Sequence, residues 1–346
     1  MKKATIHEIA KALNIDSSTV SRALNNNSRV AKKTKEKVFN KAKELGYKPN
    51  LLASNLRKNR SNTIGVVVPR ISRYFFSTII AGIEEVAFKE GFNVVISQSL
   101  EQVKREKKIM DNFVSNRVDG VLMSIAWESN DFQHLQNLEG LGIPLVFLDR
   151  HPASLESCNK VIIDDYKGAC EAVDHLIKSG CKKIAHFAGP QFLEIYKSRL
   201  KGYSDTLKKN KLKSEPKLIV ASHLMKDDGF NIMRDLLEKH PDIDGVFSAN
   251  DEAAVGAIKF LKKIGKKVPE DISIVGFSND PLSEVVEPPL TTVDQFGAEM
   301  GKKACELLIQ NIKHQKDDPF QYQTIILSPK LIERESSRGV IERRIN

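Results

Sequence analysis

From Thr63 onward the sequence alternates between short, near-continuous apolar runs and longer amphipathic stretches, and nothing else restricts the fold as much. Nine runs read as strands: 64–68, 94–96, 118–123, 144–148, 161–163, 184–187, 245–248, 272–277 and 291–293. Between most of them, helical apolar spacing predicts helices over 79–90, 104–116, 169–179, 199–208, 230–239 and 253–264. Strands apolar on both faces and separated by helices belong to parallel sheets covered on both sides. Ligands of such sheets bind beyond the carboxyl ends of the strands.

The residues that follow each strand are therefore the candidate site. Tyr74 and Phe75 follow the first strand. Ser124 and Trp127, the only tryptophan, follow the third, and Asp149-Arg150 follows the fourth. Further along come Asp164 and Asp165, then Gly189-Pro190 with Arg199 on the next helix, then Asn250-Asp251 and Ser278-Asn279-Asp280. Carboxylates, amides and an arginine bond hydroxyls or a charged group, and aromatic rings stack on the apolar face of a sugar or base. Asp165 and Asp251 also suit helix caps, but clustering at one end of the sheets favours a site. No Ser-His-Asp set, no G-x-x-x-x-G-K-[ST] run and no metal-ligand spacing accompanies these residues. Cys158, Cys170, Cys181 and Cys305 lack C-x-x-C spacing and read as reduced, packed thiols. The expectation is a binding protein without cofactor or metal, and not an enzyme.

The first sixty residues are of another kind. Thr5-Ile6-His7-Glu8 has the form of a capping box, and Ile6, Ile9, Ala10 and Leu13 make one apolar stripe behind it. After Asn14-Ile15 a second helix follows at once, started by Asp16 or Ser17 and gripping its neighbours through Val20, Ala23 and Leu24. Its outer face carries Ser17, Ser18, Ser21 and Arg22, small hydroxyls and one arginine, which suit a major groove. Val38, Ala42 and Leu45 mark a third helix from Lys32 to Gly46. Two short helices joined by a tight turn are a helix-turn-helix.

Charge separates the same two parts. Residues 1–60 hold 15 Lys or Arg against 4 Asp or Glu, a surplus of 11 in a chain whose net charge is +10. The head is a polycation and the body is neutral, so the head expects a polyanion and the body something else. Lys32 and Lys33 begin the third helix, where the macrodipole disfavours cations unless phosphates lie nearby. Tyr47-Lys48-Pro49 ends the head, and Asn50 caps a helix of under three turns that includes Leu56, Arg57 and Lys58. So short a helix is marginal alone and is ordered by what it touches. Leu56, flanked by cations, fits a wedge between base steps of a minor groove. With no leading apolar run and no apolar segment of membrane-spanning length, a cytoplasmic location without membrane contact is expected.

Several of these stretches together resemble the LacI/GalR family of bacterial transcription regulators over essentially the whole chain. T-I-H-E-I-A-K-A-L-N-I-D-S-S-T-V-S-R-A-L-N is similar to the family's head, and V-F-N-K-A-K-E-L-G-Y-K-P-N-L-L-A-S-N-L-R to its third helix and hinge. I-G-V-V-V-P, R-V-D-G-V-L, L-V-F-L-D-R, I-A-H-F-A-G-P, G-V-F-S-A-N-D, D-I-S-I-V-G-F-S-N-D and P-P-L-T-T-V-D-Q are similar to its body. The resemblance implies a three-helix helix-turn-helix head over 1–48, a hinge helix over 49–60 and a tail from 339. Between them lies a body over 61–338, like periplasmic binding proteins, of two doubly wound parallel-sheet subdomains. Crossovers near Ile163, Pro289 and Gln321 would give the first subdomain 61–162 and 291–321, and the second 163–290 and 322–338.

By the same resemblance Ser17, Ser18 and Arg22 are base-reading positions. Thr5, Thr19, Ser21, Asn25, Arg29, Val30, Lys33 and Thr34 are expected at the DNA backbone, and Asn50, Ala53, Leu56 and Arg57 at the minor groove. Tyr74, Phe75, Asp149, Arg199 and Asn250 match effector positions, joined by Ser124 and Trp127. Ser278 stands where many members carry Asp, and Leu224 where an aromatic often lines the far wall. The implied protein is a homodimer on a palindromic operator, switched by a sugar or sugar phosphate. The rival is a transport-type solute-binding protein with the same body, against which the basic helix-turn-helix argues.

Overall fold

Helices α1 (Ile6–Leu13), α2 (Ser17–Leu24) and α3 (Lys32–Glu44) pack Ile9, Ala10, Val20, Ala23, Val30, Val38 and Ala42 into one small core. In this computed structural model, residues 4–47, 61–127, 132–155, 157–314 and 321–337 are described. Thr5 caps α1 in a capping box with Glu8, whose carboxylate accepts the Thr5 N–H at 2.7 Å. Asn14 ends α1 in the left-handed conformation and turns the chain sharply into α2. Asp16 precedes α2 but its side chain makes no capping bond. Gly46 takes a positive φ of 66° just beyond α3, as its lack of a side chain allows.

The chain divides into two compact units, Met1–Ser61 and Asn62–Asn346. The second begins with β1 (Thr63–Val68), α4 (Tyr74–Lys89), β2 (Asn93–Gln98), α5 (Val103–Ser115), β3 (Gly120–Met123), α6 (Gln133–Gly140), β4 (Leu145–Leu148) and β5 (Asn159–Ile163). It continues with α7 (Asp165–Lys178), β6 (Ile184–Ala188), α8 (Glu194–Lys209), β7 (Ile219–Ala221), α9 (Lys226–Lys239), β8 (Gly245–Ser248), α10 (Asp251–Lys263), β9 (Ser273–Val275) and α11 (Leu282–Val285). It closes with β10 (Thr292–Asp294), α12 (Gly297–Lys313), β11 (Thr324–Leu327) and β12 (Lys330–Ile332).

Two parallel sheets form two lobes, as the apolar alternation requires. The first runs β11-β5-β4-β3-β1-β2 and the second β7-β6-β8-β9. Fully buried Ile64, Val66, Leu122 and Val146 fill the first lobe with Ile79 and Ile83 of α4 and Leu308 of α12. Phe187, Val246, Ile274, Ala254 and Ala257 do the same in the second. Helix α12 was not expected from the sequence, although Met300, Ala304, Leu307 and Leu308 give it a buried stripe.

Two of the expected subdomain boundaries are corrected. Strand β11 pairs in parallel with β5, setting Ile325 opposite Val161 and Leu327 opposite Ile163. Those side chains pack on the first lobe's core, so the third crossover follows Leu327 rather than Gln321. Residues 291–294 remain with the second lobe: Thr291 bridges Val275, and Val293 packs in the cluster of Phe247 and Phe277. The second crossover therefore falls after Asp294, not near Pro289. Strands β10 and β12 pair antiparallel where the lobes join.

Candidate functional site

In the head, burial of Val20 and Ala23 fixes the rotation of α2 and turns Ser18 and Arg22 outward. Ser17, Thr19 and Ser21 sit half-buried beside them. Asn25, Arg29 and Lys33 are exposed and Thr34 is half-buried. Asn25 donates its amide to the Ser21 carbonyl at 2.8 Å. Thr5 is exposed, with its hydroxyl engaged in the capping box. Val30, also expected at the DNA backbone, is buried. Its side chain belongs to the head core, and its N–H donates to the Asn27 carbonyl at 3.2 Å. Asn50, Ala53, Leu56 and Arg57 lie outside the described residues.

In the body a cavity of about 100 Å3 lies between the lobes, beyond the carboxyl ends of the strands. Tyr74, Phe75, Trp127, Asp149, Arg199, Asn250 and Ser278 line it, so seven of the nine expected effector residues converge. Ser124 and Leu224 do not line it. Ser124 is fully buried behind Asp149, and its hydroxyl lies 3.5 Å from that carboxylate. Leu224 packs in the second-lobe core, with its carbonyl accepting the Asn250 amide at 2.9 Å and its N–H donating to the Ser222 hydroxyl at 3.0 Å.

Arg199 reaches the cavity from α8 and is held on three sides. Its Nε donates to Asp165 at 2.8 Å and its Nη1 to the Ala249 carbonyl at 2.6 Å. Its guanidinium lies 3.7 Å from the centre of the Phe277 ring, a cation–π contact. Burial pushes the Asp165 carboxyl up to about 6 despite the arginine. Asp251 is pushed up to about 6 by burial while accepting from the Thr292 hydroxyl at 2.5 Å and the Asp280 N–H at 2.8 Å. Asp149, in the left-handed conformation at the end of β4, is likewise raised by burial. All three carboxylates are thus desolvated acceptors with fixed orientation.

Sequence reasoning missed Glu101, Tyr196, His223, Glu252 and Gln295 in the lining. Arg150 donates to both oxygens of Glu101 at 3.0 and 3.1 Å. Its guanidinium sits 5.8 Å from the Trp127 ring centre and 5.9 Å from that of Phe76. The sequence singles out Arg150 beside Asp149 at the end of the fourth strand; Glu101 and Gln295 carry no such signal. No group of acidic, histidine or cysteine side chains suited to a metal ion occurs among the described residues, and no described helix is long and apolar enough to cross a membrane.

A helix-turn-helix bearing an exposed arginine, joined to a two-lobed body with a polar, aromatic-lined cleft, defines a ligand-responsive DNA-binding regulator. Residues 5–50 match bacterial regulatory proteins of the lacI family, and residues 173–337 match the periplasmic binding protein-like domain. The chain is 33% identical to the ribose operon repressor of Halalkalibacterium halodurans over 335 residues, covering 97% of each. Among solved structures it is similar to the Lac repressor dimer bound to operator and the anti-inducer ONPF, with TM-score 0.84, 28% identity and coverage of 98% and 100% of the two chains. It is also similar to a LacI transcriptional regulator from Alkaliphilus metalliredigens complexed with D-xylulofuranose, with TM-score 0.70, 30% identity and coverage of 81% and 100%. The chain belongs to the lacI family of bacterial regulatory proteins. It is a DNA-binding transcriptional regulator and not an enzyme.

Proposed function

We propose that this regulator is a repressor that binds a two-fold symmetric operator as a homodimer in the cytoplasm and is switched by a neutral, pentose-sized sugar. Ser17, Ser18 and Arg22 read base edges, and Thr5, Thr19, Ser21, Asn25, Arg29, Lys33 and Thr34 hold the phosphate backbone. The connector over 49–60 joins head 1–48 to body 61–338, and Leu56 is its minor-groove wedge beside Asn50, Ala53 and Arg57. In the cleft, Asp149, Arg199, Asn250 and Ser278 bond sugar hydroxyls while Tyr74, Phe75 and Trp127 face the ring.

One observation carries the choice of a neutral sugar over a sugar phosphate. Of the four arginines in the lining, Arg73, Arg150 and Arg199 are each already paired with a protein carboxylate, respectively Glu252, Glu101 and Asp165, and the further lining carboxylates Asp149, Asp251 and Asp280 outnumber the fourth, Arg70. Charged groups so paired offer hydrogen bonds to hydroxyls but little surplus field for a dianion. The ribose operon repressor and the D-xylulofuranose complex, both similar to this chain, favour the same ligand class. Thermal unfolding of the full-length protein with D-ribose, D-xylulose and D-ribose 5-phosphate tests it. Saturation at a hundred times Kd stabilises by about 2.7 kcal/mol. Stabilisation by a free pentose and not by the phosphate is expected; the reverse pattern overturns the reading.

A further inference from the structure

Two pairs of side chains reach across the mouth of the cleft. Arg73, immediately before α4 in the first lobe, forms an ion pair with Glu252 in the first turn of α10 in the second. Its Nη2 also lies 2.9 Å from the sulfur of Met225, the residue before α9. Trp127, beyond β3, meets His223, beyond β7, at right angles with ring centroids 4.6 Å apart. Arg73, Trp127, His223 and Glu252 all line the cavity.

We propose that these two pairs form a clasp that sets the size of the effector. It encloses one sugar ring, leaves no room for a second, and parts before a sugar enters or leaves. The proposal rests on the sugar reading above and adds to it which residues impose the limit. The cleft is only partly enclosed, and its volume is about 100 Å3, below the roughly 300 Å3 at which pockets for drug-sized molecules begin. The ion pair is partly exposed, at 30% and 27% for the two side chains, so it is reversible rather than locking. Pairs of this kind change an equilibrium by up to about fivefold, enough to bias closure without trapping a ligand. The Trp127 indole N–H is buried and has no acceptor among the described residues. A donor so placed is costly until an oxygen accepts from it, so a ring hydroxyl beneath the clasp stabilises the closed form.

Trp127 is the chain's only tryptophan, so its fluorescence reports on the clasp itself. Acrylamide quenching is measured on sugar-free, full-length protein. Glu252→Gln and Arg73→Gln are each expected to raise the Stern–Volmer constant about twofold, within the range such a pair allows. The double variant Arg73→Glu/Glu252→Arg is expected to return it to the wild-type value. Quenching in both single variants equal to wild type overturns the clasp. A second arm follows thermal unfolding with D-ribose, D-xylulose and cellobiose. A pentose should stabilise both proteins, binding Glu252→Gln up to about fivefold more weakly, and cellobiose should stabilise only the variant. Cellobiose stabilising wild type, or failing with the variant while a pentose succeeds, overturns the size limit. If none of the sugars stabilises either protein, the sugar reading and the size limit fall together, and quenching alone decides whether the clasp exists.

Discussion

His186 shows how much a single residue's surroundings decide. It lies in β6, stacked between Tyr203 and Phe247 with ring centroids 4.9 and 4.8 Å away, and its Nδ1 bonds the Phe247 carbonyl at 2.9 Å. That bond makes Nδ1 the protonated nitrogen of a neutral ring. Burial lowers its pKa from 6.5 to about 4. A depressed histidine means the unfolded chain binds the extra proton first, so stability is present above 6.5 and is lost as pH falls toward 4. Relative to His186→Phe, which cannot titrate, the wild-type body should lose about 2 kcal/mol between pH 7 and pH 4.5. Urea unfolding of both proteins at the two pH values measures this, and a constant difference would refute it. His186 lies in an apolar run of the sequence, and the fold buries it completely. Asp149 was legible because it closes a strand, and Arg199, inside the helix after β6, through the family resemblance. Glu101 was not, because only the folded chain brings it to Arg150, whose sequence separation from it is 49 residues. Leu224 was misplaced because β7 before it is three residues long and half-exposed, too faint a pattern to show which way the next side chain turns.

Whole elements meet on surfaces that sequence spacing does not display. Helices α4 and α12 cross so closely that a Cβ on Gly82 would run into the Ala298 carbonyl, and one on Gly301 into the Ile79 carbonyl. Each glycine admits the other helix's backbone, and the crossing holds the first lobe's outer layer on its sheet. Gly82→Ala should force the helices apart and destabilise the body by about 1–3 kcal/mol, as overpacking does. Denaturant unfolding of the body checks it, and a change under 0.5 kcal/mol, the scatter of neutral surface substitutions, tells against it. Helix α12 itself escaped sequence reading, since its stripe starts at a glycine with no capping residue before it: Phe296 precedes it in the left-handed conformation. Helix α2, by contrast, was plain from its residue types alone. Its exposed Arg22 should cost about 1–3 kcal/mol of operator binding when changed to Ala, with base preference relaxed at one position in each half-site. A binding-site selection with the variant protein that returned the wild-type consensus would remove Arg22 from base reading.

At the scale of the molecule, charge is partitioned as sharply as fold. The head's surplus of 11 positive charges stands against a total of +10 for the chain, so the remainder carries a net −1. Phosphate neutralisation therefore belongs to the head and connector, and effector binding to a body without a field of its own sign. The two functions should separate under salt. Operator affinity falls with a slope of about 0.9 in log–log terms for each phosphate neutralised, while a neutral sugar in a cleft of paired ions should respond weakly. Lys33, exposed in the first turn of α3 where no acidic residue offsets it, is the clearest single contributor. Lys33→Gln should weaken binding to operator and to random duplex by the same factor. It should also reduce the salt slope by about 1, and leave the thermal shift produced by sugar unaltered. Fluorescence anisotropy at five salt concentrations, on both duplexes, yields slope and selectivity together. A selective loss on operator with an unchanged slope would move Lys33 from the phosphates to the bases, and a changed sugar response would mean that head and body are not divided by charge in this way.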